Sequence, residues 1–243
     1  MDELKNLVTA LHKERYPGAD VIFLAGSVVR GESTRTSDLD LVVVFHSLPN
    51  AYRESFHYGG WPVEAFVHDP QTVEYFIRQY DAPSAVPSLA AMVSEGVELP
   101  ARTALGQRLK DMANDFLKAG PVRWSTQEID SSRYVISDLI EDLREPRSPA
   151  EMQAIAVQLY NAIANHFFRS KGLWSARGKT IPRRLRKADD AFASRFEAAF
   201  ESVFALGKTA DLIALAEALL AAHGGFLFEG HRLEAPREWR TGI

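Results

Sequence analysis

The apolar pattern of this chain changes once along its length, near Pro70, and that change limits the folds open to it. Before it, helical and strand spacings alternate; after it, strand signals nearly vanish and helical spacing recurs. A chain patterned this way is expected to be α+β: a small mixed sheet with flanking helices, followed by an all-α helical bundle. In the first part, Leu4, Leu7, Val8 and Leu11 mark an amphipathic helix that Tyr16-Pro17-Gly18 ends. Val21 to Ala25 is an apolar run too short for a helix, and Leu39 to Phe45 is a second strand that opens on acids. Tyr52 to Tyr58 and Val63 to Val67 follow as a hairpin joined by Gly59-Gly60.

Helical spacing then predicts helices over 84–95, 101–118, 127–144, 150–171, 184–205 and 209–222. In the fourth of these, Ile155, Leu159, Ile163 and Phe167 step by four, and Ala154, Ala156 and Ala162 are small enough for close helix packing. The expected division is a catalytic domain over 1–95 and a bundle over 96–243, with a polar tail from Gly224 that either caps the bundle or is loose.

Composition removes several function classes. A total of 243 residues, 46% hydrophobic, can bury one sizeable core or two small ones. With 28 Lys and Arg against 32 Asp and Glu, the net charge of -4 does not suit a surface that tracks nucleic acid. The absence of cysteine excludes disulfides, thiolate zinc sites and a cysteine nucleophile, and fits a reducing compartment. No apolar run approaches the roughly 20 residues of a membrane span. Met1-Asp2-Glu3 lacks the positive start of a secretion signal, so the expected location is cytoplasmic with no membrane partner.

The chemistry concentrates in Gly26-Ser27, then ten residues, then Asp38-Leu39-Asp40. Period two puts Asp38 and Asp40 on one strand face, while Leu39 and Leu41 turn to the core. Adjacent carboxylates repel unless a cation neutralises them, and hard oxygen ligands select Mg²⁺ or Mn²⁺. The Gly26-Ser27 turn permits close backbone approach, and its N–H groups and hydroxyl suit phosphate oxygens. Glu64 is the only charge in its apolar strand. It completes a three-carboxylate cluster if that strand lies beside Asp38 and Asp40, acting there as metal ligand or as general base; the alternative is an edge-strand charge that discourages aggregation.

The run Leu24-Ala25-Gly26-Ser27 with Ser37-Asp38-Leu39-Asp40-Leu41-Val42-Val43 resembles the signature of the DNA polymerase β-like nucleotidyltransferase superfamily. Val63-Glu64-Ala65-Phe66-Val67-His68-Asp69 is similar to the third-carboxylate strand of aminoglycoside adenylyltransferases, where a helical domain also follows. The resemblance implies a nucleotidyltransferase, a transferase that moves a nucleoside monophosphate from a nucleoside triphosphate to an acceptor hydroxyl and releases pyrophosphate, with AMP from ATP expected by family habit and another triphosphate as the alternative. It assigns Asp38, Asp40 and Glu64 as catalytic and metal-binding residues holding two Mg²⁺ ions, and Gly26 and Ser27 as nucleotide-binding residues, in a cleft between the domains.

Lys179, in the basic stretch Lys171 to Lys187, resembles the loop that reaches the triphosphate in relatives; otherwise it belongs to a solvated helix start. Arg30 is a further candidate for phosphate contact. The acceptor is expected to be an aminoglycoside-like small molecule. The alternatives are a protein or RNA acceptor, or a catalytically silent nucleotide-binding module. His46, His57, His68 and His166 have no partner at metal-ligand spacing and are read as core-edge or surface residues.

Overall fold

The computed structural model describes residues 2–236 and 239–240. They form two compact units, residues 1–121 and 122–243.

In the first unit, helix α1 (Asp2–Arg15) buries Val8 and Leu11, with acids in its first turn and basic residues in its last, as the helix dipole favours. Strand β1 (Ala19–Ala25) leads into a single helical turn, α2 (Gly26–Val29), where sequence spacing indicates only a polar loop. Strand β2 (Leu39–Phe45) and the hairpin β3 (Tyr52–Tyr58) and β4 (Trp61–His68) follow within two residues of the expected limits. Gly59 and Gly60 sit at φ of 54° and 84°, as a two-residue type I′ hairpin requires.

At the end of β4, Asp69 opens helix α3 (Pro70–Phe76) through a capping box: its carboxylate accepts from Thr72 N–H (2.8 Å), and Thr72 Oγ1 accepts from Asp69 N–H (2.9 Å). A π-helical stretch, Ile77–Asp81, and the short α4 (Ala82–Ser84) lead to α5 (Ser88–Glu95).

The structure then departs from the expected division at residue 95. Val97–Leu99 is a fifth strand, β5, which pairs antiparallel with β1, and α6 (Ala104–Ala119) buries Leu109 and Ala113 in the same core as β1 and β2. The first unit therefore extends to residue 121. Three residues are too few to show period-two alternation, and an adjacent strand supplies what the local pattern lacks.

The sheet order is β3-β4-β2-β1-β5, with β2 and β4 parallel and the other pairs antiparallel. Alternation along β2 divides it between two layers. Leu39, Leu41 and Val43 face the core that contains Val8 and Leu11 of α1; Val42 and Val44 face the core built with α3, α5 and α6.

The second unit consists of α7 (Thr126–Arg144), α8 (Pro149–Ser170), α9 (Thr180–Ala188), α10 (Asp190–Leu206) and α11 (Ala210–Ala221). Leu159, Ile163 and Phe167 of α8 are buried as their spacing requires, against Phe196, Phe200 and Leu215. The single helix expected over 184–205 is two, because Asp189 is extended (φ -163°) and its carboxylate caps Phe192 N–H at 2.9 Å.

The start of the polar tail is tied to α7: Gly225 C=O accepts from Arg133 Nε (3.0 Å), and Leu227 N–H donates to Ser137 Oγ (2.9 Å). The expectation for the tail's last residues, 237–238 and 241–243, lies outside the described residues. Among the described residues, no helix is long and apolar enough to cross a membrane.

Candidate active site

The parallel pairing of β2 with β4 sets Asp40 directly opposite Glu64. Asp38 lies one step before the strand and two residues from Asp40, so period two keeps it on that face. One carboxylate oxygen from each of Asp38, Asp40 and Glu64 lies within 4.8 Å of the others, and all three residues are half-buried. Their face of the sheet continues through Val42 and Val44 into the α5 and α6 core, so the carboxylates stand where the apolar covering ends.

Gly26 closes the other side. It follows β1, whose Ala25 is the register partner of Asp40, and it adopts φ of +75°. A Cβ at this position would fall on the Asp40 carboxylate, so only glycine leaves that oxygen its place. Ser27 Oγ donates to Ser37 Oγ (3.3 Å), which also accepts from Thr34 N–H (2.8 Å). Ser37 thus pins the loop between the turn and the acids.

The structure therefore brings together Gly26, Ser27, Asp38, Asp40 and Glu64. Arg30 is engaged elsewhere: it pairs with Glu32 (3.0 Å) and with Glu95. Lys179 belongs to the second unit, where it is exposed at the N-cap of α9. His46 and His57 are exposed as expected, whereas His68 and His166 are buried.

Sequence reasoning misses Arg53, which pairs with Glu64 across the hairpin. The Gly59-Gly60 turn holds the signal for it. A two-residue turn sets Ser55 opposite Glu64 and Arg53 one same-face step beyond.

The donor set suits a divalent cation. Three hard oxygen ligands at this separation carry a repulsion that Mg²⁺ or Mn²⁺ relieves, and the glycine cradle keeps the space around Asp40 open.

Residues 4–80 match the family model for the nucleotidyltransferase domain. This segment belongs to the DNA polymerase β-like nucleotidyltransferase superfamily, and nucleotidyl transfer is the activity class of the domain. The match spans α1, all four strands β1 to β4 and α3, and so contains every carboxylate of the cluster. No curated protein matches the chain. Among solved structures, a nucleotidyltransferase-like protein from Exiguobacterium sibiricum 255-15 is similar at 16% identity, over 90% of this chain and 74% of that one, with a TM-score of 0.44.

Proposed function

We propose that the protein is a Mg²⁺-dependent adenylyltransferase that transfers AMP from ATP to a hydroxyl of a small-molecule acceptor. The observation that carries this reading is the gathering of Asp38, Asp40 and Glu64 on one sheet face beside the Gly26-Ser27 turn. Asp38 and Asp40 would hold the metal, with Glu64 as a further ligand or as the base. Bound there, Mg²⁺ supplies charge neutralisation on the triphosphate and lowers the pKa of the acceptor hydroxyl.

The chain's own residues do the remaining work. The Ser27 hydroxyl, which donates to Ser37 Oγ at 3.3 Å, would turn that proton to a phosphate oxygen when the triphosphate binds. Gly26 allows that oxygen to approach the backbone. Glu64 accepts the acceptor's proton while its oxygen attacks the α-phosphorus; the bond to the β-phosphate breaks and pyrophosphate leaves with the electron pair.

The net charge of -4 disfavours RNA. The presence of all three acids favours catalysis over a silent module. A cytoplasmic location accords with the lack of cysteine.

Calorimetric titration of ATP, CTP, GTP and UTP, with and without Mg²⁺, tests this reading on the parent and on Asp38→Asn/Asp40→Asn. The expected result is triphosphate binding, tightest for ATP, that needs both the metal and the carboxylates. Binding that survives in the double variant would overturn the assignment.

A further inference from the structure

Arg53 stands on β3, the edge strand, opposite Phe66 and on the same sheet face as Glu64. Its guanidinium lies 4.9 Å over the Phe66 ring and pairs with Glu64 Oε1. An aromatic face and a carboxylate thus fix the cation at the rim of the cluster, although the side chain as a whole is more than half exposed. An exposed ion pair contributes little to stability, so the value of the Arg53–Glu64 pair has to be sought in what it does to the cluster.

We propose that Arg53 is the resident counter-charge of the carboxylate site, holding one Glu64 oxygen and setting how tightly the site takes a free divalent cation. This inference rests on the metal-binding reading above. Three carboxylates carry three negative charges, and Arg53 offsets one of them. A lone divalent ion therefore meets a weaker field than the acids alone would make. A triphosphate adds its own negative charge and restores that field, so metal is retained chiefly together with the nucleotide. The guanidinium also restrains Glu64 before any ligand arrives, as it is anchored on Phe66 rather than on the metal ligands alone.

The test is a titration with Mn²⁺ alone, followed by the paramagnetic resonance signal of the free ion, in the absence of nucleotide. The proteins compared are the parent, Arg53→Gln, Arg53→Met, Arg53→Lys and Asp40→Asn. Loss of the charge in the Gln and Met variants is expected to tighten Mn²⁺ binding on the order of tenfold. The Lys variant, which keeps the charge, is expected to remain near the parent. The Met variant retains an apolar stem over Phe66, so a folded protein without the charge is available even where Gln disturbs the edge strand. Unchanged or weaker Mn²⁺ binding in the folded Gln and Met variants would overturn the role of Arg53 while leaving the metal site standing. Mn²⁺ bound equally by the parent and Asp40→Asn, or by none of the five proteins, would remove the metal site and this inference together.

Discussion

The two units of the molecule concentrate different side chains. The first gathers Asp38, Asp40 and Glu64 at the edge of an apolar sheet, an arrangement whose internal repulsion opposes folding. The second packs Phe167, Phe192, Phe196, Phe200 and Tyr160 ring against ring, with His166 and Arg169 among the polar groups it buries. Three acids that Arg53 offsets only in part, beside a glycine whose Cβ would fall on Asp40, suit the cation-binding role proposed above. Dense aromatic packing suits a region that contributes stability. Substitutions in the two should therefore separate stability from binding.

The largest expected effect on stability lies in the bundle. Phe196 is fully buried, with its ring centroid 4.7 Å from that of Tyr160 and 4.6 Å from that of Phe200. Phe196→Ala is expected to lower unfolding free energy by about 3–5 kcal/mol, read by urea denaturation, with Mn²⁺ affinity of the remaining folded protein unchanged. A loss below 1 kcal/mol, by the same magnitude argument, would mean that the aromatic packing is not the source of stability.

The next effect is at the opposite pole. Gly26→Ala forces a side chain into the left-handed region and onto the Asp40 carboxylate. The expected cost is about 2–4 kcal/mol. Unlike Phe196→Ala, it should also abolish Mn²⁺ binding in the fraction that still folds. Retained metal binding in that variant would show that Asp40 does not need the place glycine leaves it.

Most of this contrast is legible in the sequence, for physical reasons. β1 and β2 announce themselves through short apolar runs and β3 and β4 through the turn glycines between them, and the Asp38, Asp40 and Glu64 cluster follows once Glu64 is placed beside β2. What escapes depends on partners distant in the chain. β5 is three residues long and exists because β1 offers it an edge. The break at Asp189 carried a signal, an acid at an N-cap position, but the apolar spacing continued across it. Arg30 is a plausible phosphate contact by position alone, and only the fold reveals Glu95 beside it. His166 has no local mark of burial, since the residues that cover it come from other segments, among them Trp124 and His223.

His166 supplies the smallest of these effects and the one that compares the units most directly. Its Nδ1 lies 2.9 Å from Ser132 Oγ, and its Nε2 has no hydrogen-bond partner among the described residues. Burial, with His223 and Arg133 nearby, pushes its pKa down to about 4. A depressed histidine contributes stability that is fully present above its unfolded pKa and is lost as pH falls through the folded value. Between pH 7 and pH 5 this amounts to about 2 kcal/mol. In the first unit, burial likewise lowers His68 to about 4, but Asp81 opposes it. Burial raises the Asp81 carboxyl to about 6, although it accepts a hydrogen bond from Ala90 N–H (2.8 Å). A raised carboxyl contributes stability that is present below its unfolded pKa and lost as pH rises through the folded value, so acidification returns part of what His68 loses. Native-state hydrogen exchange, corrected for intrinsic rates, should therefore show α8 amides losing about 2 kcal/mol of protection between pH 7 and pH 5, and β2 amides about half of that or less. Equal losses in α8 and β2 would mean that Asp81 does not hold its proton in the folded state, and the asymmetry between the units would then be one of packing alone.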